Sequence, residues 1–107
     1  MLYELRVYTA VVGRMADLVK RFDAYTVPLF AKHGITQIGY WTTVIGDSSE
    51  FTYMLAWDSL ADRETRWGAF QRDPDWAAAR EATEHNGPIT ARVRNSILQP
   101  AAFSPLR

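Results

Sequence analysis

The chain of 107 residues contains no cysteine. This absence excludes disulfides, thiolate zinc sites, cysteine-ligated iron–sulfur clusters and a cysteine nucleophile. Neither sign of charge is in excess, because 12 basic residues balance 12 acidic ones. A general nucleic-acid-binding protein would show a basic excess or a clustered basic face, so we expect no nucleic-acid partner.

Long apolar runs are missing as well. Every apolar run is far shorter than the roughly 20 residues that a membrane-spanning helix needs. No basic-then-apolar signal segment opens the chain, because Glu4 and Arg6 interrupt the first stretch. We therefore predict a soluble, cytoplasmic protein with no membrane partner.

Aromatic residues, in contrast, are abundant. Four Trp, five Tyr and five Phe make up 13% of the chain, and 48% of all residues are hydrophobic. This length and composition predict one domain over residues 1–107. Large rings fill small cores well, and in this number they also suit a ligand pocket or a subunit interface.

The first half of the chain predicts a strand, a helix and a hairpin. Residues 3–8 alternate in the manner of a two-faced strand, and an apolar stripe over residues 15–29 predicts a helix. Pro28 should kink or interrupt that helix. Residues 35–45 and 51–57 are rich in β-branched and aromatic side chains and predict two strands, joined by a turn at residues 46–49.

The second half repeats the design. Asp58-Ser59 offers an N-cap for a helix through residue 72, and Asp73-Pro74 ends it and begins a second short helix. After Asn86-Gly87-Pro88, residues 89–98 alternate as a last strand. A proline-bearing tail follows.

The element order predicts the fold class. The order βαββαβ gives an α+β, ferredoxin-like arrangement, in which a four-stranded antiparallel sheet carries its helices on one face. The other face would then be a large apolar patch, which a monomer rarely tolerates. We therefore predict a homodimer whose two sheets form a shared barrel, with the tail at residues 98–107 packing on the partner subunit.

Motifs along the whole chain resemble those of the NIPSNAP family. The resemblance rests on the following segments: YELRVYT at residues 3–9, PLF at 28–30, KHG at 32–34, GYWTT at 39–43, the Ile45-Gly46 turn, Tyr53 with WDSL at 57–60, DPDW at 73–76, and ILQP at 97–100 with FSPL at 103–106. The resemblance implies a dimeric α+β barrel. It implies less about function, because bacterial NIPSNAP proteins are mostly of unknown activity.

Charged side chains on the first and last strands form the main candidate site. Glu4, Arg6 and Tyr8 point to one side of the first strand, and Arg92, Arg94 and Ser96 point to one side of the last. These strands are neighbours in the predicted order, so the two sets can share a face. We assign catalytic roles to Glu4, Arg6, Tyr8 and Arg94, and substrate contacts to Arg92 and Ser96.

Two interpretations of this charged set remain open. In a pocket, an arginine would bind a carboxylate or enolate oxygen, Glu4 would act as a base and Tyr8 would donate a hydrogen bond. Alternatively, the residues form a structural ladder of Glu–Arg pairs between strands. The same two alternatives apply to five further candidate substrate-binding residues, which either line a cavity or only pack the core and the dimer: Trp41, Thr43, Tyr53, Trp57 and Trp67.

The two histidines give no metal signal. His33 and His85 lie at predicted helix ends, where the helix dipole favours them, and their spacing fits no metal motif. Some barrels related to NIPSNAP proteins bind haem through a histidine of the second helical region. Here Arg80 occupies the corresponding turn, so we expect no cofactor, although haem is not strictly excluded.

The function expected from these features is binding of a small apolar or aromatic ligand that bears a carboxylate or enolate. Relatives in the wider superfamily include isomerases, cyclases and oxygenases that work without a cofactor, so the resemblance also allows catalysis of that kind. The alternative is a non-catalytic ligand-binding or protein-interaction module.

Overall fold

The computed structural model describes residues 1–107. Its elements are β1 (Leu2–Ala10), α1 (Met15–Arg21), a π-helical segment (Phe22–Thr26), α2 (Val27–Lys32), β2 (Thr36–Thr42), β3 (Glu50–Trp57), α3 (Leu60–Gln71), α4 (Pro74–Glu84) and β4 (Thr90–Leu98). None of the helices is long and apolar enough to cross a membrane.

The strands form one antiparallel sheet in the order β2-β3-β1-β4. The two crossovers that contain helices place β1 and β3 side by side at the centre, with β2 and β4 at the edges. The helices cover one face of this sheet. The predicted α+β, ferredoxin-like class is therefore confirmed.

The first helical region continues past Pro28, and a π-helical segment interrupts its α-helical pattern just before the proline. Proline has no N–H and its ring crowds the carbonyl four residues earlier. The chain accommodates it by widening the preceding turn into the π-helical segment, in which the Val27 N–H donates to the Phe22 carbonyl. Pro28 then takes the second position of α2, where its missing N–H costs little.

Strand β2 is shorter than predicted and ends at Thr42 instead of residue 45. Continuing the register would pair residues 44 and 45 with residues 49 and 48, which form a turn instead. In that turn the Asp47 side chain accepts hydrogen bonds from the backbone N–H and the hydroxyl of Ser49, at 2.9 and 2.6 Å. Val44 and Ile45 are left almost fully exposed in the loop.

Both later helices begin at a side-chain cap, as predicted. The Ser59 hydroxyl accepts a hydrogen bond from the Asp62 N–H at 3.0 Å at the start of α3. At the start of α4, Asp73 accepts from the Asp75 N–H at 2.8 Å. Asp73 also binds Lys32 and His33 at 2.7 Å each, so it joins the end of α2 to the start of α4.

The core lies between the helices and the covered face of the sheet. On β3, alternate residues point into it, and the helices add aliphatic and aromatic side chains from the other side. The central members of the core are Leu18, Phe22, Phe30, Phe51, Tyr53, Leu55, Trp57 and Phe70. This core surrounds the charged residues of β1.

Candidate active site

The register of the sheet turns the polar side of β1 toward the helices. Glu4 lies opposite Leu55 and Arg6 lies opposite Tyr53, and residues directly opposite each other share a face. Leu55 and Tyr53 belong to the core. Glu4 and Arg6 are therefore buried beneath the helices, with exposed fractions of 0% and 8%. Tyr8 lies on the same face and packs edge-on against Phe22.

The predicted set on β4 does not join them. Arg94 lies opposite Val7 and Arg92 opposite Thr9, so both point to the outer face of the sheet, as does Ser96 opposite Leu5. All three are exposed, and Arg94 pairs with Glu50 at 2.6 Å. The expectation that the two sets share one face is wrong. The alternation along β4 was read correctly, but nothing in it shows which side faces the helices.

Glu4 is the centre of a saturated hydrogen-bond network. Its carboxylate accepts five hydrogen bonds, from four side chains on β1, β3, α3 and β4: from Arg6 Nη1 at 2.8 Å, Trp57 Nε1 at 3.0 Å, Arg63 Nε and Nη2 at 2.7 and 3.1 Å, and Asn95 Nδ2 at 3.0 Å. A carboxylate offers about four lone-pair directions, so no direction is left for a substrate proton.

These contacts also weaken Glu4 as a base. Burial by itself raises the pKa of the carboxyl, but the hydrogen bonds from Arg63, Asn95 and Arg6 outweigh burial and lower the pKa of Glu4 to about 2. A general base works best with a pKa near the operating pH. The geometry therefore gives Glu4 the role of holding Arg6 and α3 in place.

Two of the four residues that bind Glu4 were missed in the sequence. Arg63, a helix residue outside the predicted site, forms an ion pair with Glu4 at 2.7 Å. Asn95 lies opposite Arg6 on β4. One signal could have pointed to Arg63: it follows the Ser59 cap by four residues, which places it on the first turns of α3 near the end of β3.

Arg6 joins this network to a pair of tyrosines. Its Nε donates to the Tyr53 hydroxyl at 2.7 Å, and the two hydroxyls of Tyr53 and Tyr8 lie 2.9 Å apart. The Arg6 guanidinium also lies 4.5 Å from the centre of the Trp67 ring, a cation–π contact. Burial alone disfavours its charge, but the tyrosines and Glu4 outweigh burial and raise the pKa of Arg6. It is a permanent cation.

The donor and acceptor roles in the chain of hydrogen bonds from Arg6 through Tyr53 to Tyr8 leave the Tyr8 hydroxyl proton free to donate to another group. Burial raises the pKa of Tyr53 well above its usual range, so Tyr53 keeps its proton. Since its oxygen already accepts from Arg6, that proton is directed to Tyr8, the only other oxygen bonded to it. Tyr8, in turn, lines a cavity that Tyr53 does not reach.

This cavity lies between the sheet and the helices and has a volume of about 170 Å³. Three arginines line it, Arg6, Arg21 and Arg80, and none of its lining residues is acidic. Its remaining walls are mostly aromatic: Tyr8, Phe22, Phe30, Trp67, Phe70 and Trp76. Gln71 and Arg80 are exposed, so the cavity opens to solvent between α3 and α4.

The predicted ring residues divide among three places. Trp67 lines the cavity, whereas Tyr53 and Trp57 are buried beside it as partners of Arg6 and Glu4. Trp41 lies opposite Thr52 on the outer face and is 50% exposed, and Thr43 lies in the loop after β2. The cavity residues outside the predicted set come from the helices: Arg21, Phe22, Thr26, Phe30, Phe70, Gln71, Trp76 and Arg80.

Comparison with known proteins identifies the family. The NIPSNAP family model matches residues 3–105. A NIPSNAP family protein from Agrobacterium tumefaciens is 31% identical, with 99% of this chain and 98% of that chain covered and a TM-score of 0.88. A second A. tumefaciens NIPSNAP protein, of unknown function, is 28% identical over 100% of this chain and 94% of that chain, with a TM-score of 0.87.

More distant structures share only the fold. A putative antibiotic biosynthesis monooxygenase from Nitrosomonas europaea is 10% identical, covers 94% of this chain and 98% of that chain, and has a TM-score of 0.66. No functionally characterised protein matches the sequence. The family match, which spans nearly the whole chain, carries the assignment: this chain belongs to the NIPSNAP family.

Proposed function

We propose that this protein binds a small aromatic anion, a carboxylate or an enolate, in the cavity between its sheet and its helices. The observation that carries the proposal is the composition of the cavity wall. Three arginines and six aromatic rings line it without a single acidic side chain. A cationic, ring-walled cavity favours flat ligands with negative charge.

The cavity size limits the ligand. Pockets for drug-sized molecules usually measure about 300–1,000 Å³, and this one measures about 170 Å³. An apolar cavity of about 150 Å³ is known to hold benzene. The proposed ligand is therefore a single ring with one or two small substituents, and it lies within one subunit.

The polar groups support binding and charge stabilisation rather than proton abstraction. Arg6 is fixed by Glu4 and Tyr53, and Tyr8 has a free hydroxyl proton that faces the cavity. Fixed donors of this kind stabilise an enolate oxygen without having to reorganise. Glu4, saturated and weakly basic, takes no part in proton transfer in this proposal.

We place the protein in the cytoplasm, consistent with its lack of cysteine.

Ligand binding to a variant whose cavity mouth is blocked tests the proposal. We expect benzoate and 4-hydroxybenzoate to raise the melting temperature of the wild-type protein and to give a measurable heat of binding. The substitution Gln71→Trp places a large ring at the mouth and should raise the dissociation constant at least tenfold. Glu64→Trp, at an exposed position on the same helix, is the matched control and should leave binding unchanged. Failure of every aromatic anion to bind the wild type would contradict the proposal.

We also propose that the protein is a homodimer joined through the outer face of its sheet. The chain exposes 6661 Å², whereas a compact monomer of this mass exposes about 6,100 Å². It is also flat, only 18 Å in its shortest dimension. Strand β4 adds a nine-residue edge whose residues 91–98 are all exposed. In addition to the contact between outer faces, such an edge is open to backbone pairing with the partner chain.

Light scattering tests the dimer. We expect a mass of about 24 kDa, twice the 12.2 kDa of the chain. Trp41→Arg adds charge to the outer face and should shift the mass to that of one chain. Leu60→Arg, at an exposed apolar position on α3, should remain dimeric. A wild-type protein that is monomeric at 100 micromolar would refute the dimer.

A further inference from the structure

One wall of the cavity carries buried polar atoms that have no hydrogen-bond partner in the protein. Arg21 Nε, Arg21 Nη1 and Thr26 Oγ1 are buried and form no hydrogen bond. The exposed fractions of the two residues are only 5% and 3%. Both residues line the aromatic cavity. Arg21 also borders a surface groove, but Thr26 does not, so the cavity is the space that the two groups share.

The remaining contacts of Arg21 are weak. Its Nη1 lies 3.4 Å from the Glu84 carboxylate, and its Nη2 lies 3.5 Å from the Thr90 hydroxyl. The guanidinium lies 5.5 Å from the centre of the Trp76 ring, which forms part of the cavity wall. A buried guanidinium normally satisfies most of its five N–H groups. On the edge formed by Nε and Nη2, Arg21 therefore leaves Nε without a partner and Nη2 with only the long contact to Thr90.

The π-helical segment explains how these groups meet. Arg21 precedes the segment and Thr26 ends it, so the two are five residues apart. Hydrogen bonds in this segment run from residue i+5 to residue i, so residues five apart approach one another across one widened turn. Single π turns are frequent at functional sites. Here the widened helical turn places Arg21 and the Thr26 hydroxyl at the same cavity.

We infer that Arg21 and Thr26 form the carboxylate subsite of this cavity, for a ligand that consists of one aromatic ring bearing a carboxylate. The adjacent Nε and Nη groups of a guanidinium match the two oxygens of a carboxylate, and the Thr26 hydroxyl adds a third donor. The rings of Phe22, Phe30 and Trp76 contact the ligand ring. Arg6 and Tyr8, on the sheet wall, remain available for a second oxygen substituent. This inference rests on the function proposed above and names its ligand class.

The subsite is tested by titrating three probe compounds into the wild-type protein and into two matched arginine variants. The probes are benzoate, benzyl alcohol, which keeps the ring without the charge, and inorganic phosphate, which keeps the charge without the ring. Arg21→Met should weaken benzoate binding at least tenfold and leave benzyl alcohol binding within twofold of the wild type. Arg80→Met, which removes a cation that lines the same cavity but is 60% exposed, should weaken benzoate binding less than threefold.

A second variant keeps the test decisive if Arg21→Met does not fold. Thr26→Val has nearly the same shape and should weaken benzoate binding about threefold without affecting benzyl alcohol. Benzoate binding that neither substitution alters would refute the subsite and leave the proposed function intact. Phosphate binding as tightly as benzoate would refute the aromatic ligand class. No binding of either ring compound to the wild type would overturn the proposed function itself.

Discussion

Replacing Glu4 by glutamine is expected to destabilise the protein by about 3 kcal/mol, in the range found when one partner of a buried ion pair is removed. The amide keeps the shape of the side chain but loses its charge. An NH₂ group at the Oε2 position also cannot accept the hydrogen bonds that Arg63 Nη2 and Asn95 Nδ2 now donate there. Arg6 and Arg63 would then remain near each other without a counter-charge.

The measurement is urea unfolding of the wild type and the variant at pH 7. A loss of this size should lower the melting temperature by roughly 10–20 °C in a domain of this length. Glu50→Gln is the matched control, because it removes a carboxylate of the same sheet whose partner Arg94 is about half exposed. Exposed pairs contribute less than about 1 kcal/mol. Equal stability losses in the two variants would show that the Glu4 network does not hold the fold together.

The same carboxylate makes the stability of the protein depend on pH in the acid range. The pKa of Glu4 falls from 4.5 to about 2 on folding, so its contribution is complete above pH 4.5 and is lost as the pH falls toward 2. We expect a loss of about 2 kcal/mol over this interval. This figure lies below the full 1.4 kcal/mol per pKa unit because Arg63 is 26% exposed and solvent screens its share of the attraction. The pKa of Asp73 is lowered as well, by Lys32, by the backbone N–H of Asp75 and by His33, so it acts in the same direction.

Unfolding free energies at pH 7, 4.5 and 3 separate the two carboxyls. The difference between the wild type and Glu4→Gln should shrink as the pH falls, because protonation of Glu4 in the wild type removes the same charge that the substitution removes. The Asp73→Asn variant should retain the part of the pH-dependent loss of stability that protonation of Glu4 causes. A difference between the wild type and Glu4→Gln that stays constant from pH 7 to pH 3 would contradict the lowered pKa.

The charged set on β1 divides between the geometries that the two interpretations describe. Glu4 belongs to a structural ion-pair network, as the ladder interpretation expects, although its partners are Arg6 and Arg63 rather than arginines of β4. Arg6 and Tyr8 line a cavity, as the pocket interpretation expects. Local pattern could not separate these roles, because both place the same residues on the same strand.

Sequence by itself determined the elements, their order and the family. Alternation on β1 and β3, the caps at Ser59 and Asp73 and the motifs spread over the chain are local properties, and each depends on neighbours within a few residues. They are sufficient for the ferredoxin-like class. They also separated Glu4, Arg6 and Tyr8 onto one side of their strand.

Only the tertiary structure decided which side of each strand faces the helices. Turning a strand over exchanges its two faces without changing its alternation, so Arg94 and Asn95 were equally good candidates until the register was known. The same holds for Arg21 and Thr26, which meet only because a π turn widens the helix before Pro28. The absence of cysteine excluded only thiol and disulfide chemistry, and packing between helix and sheet determined which charges surround the cavity.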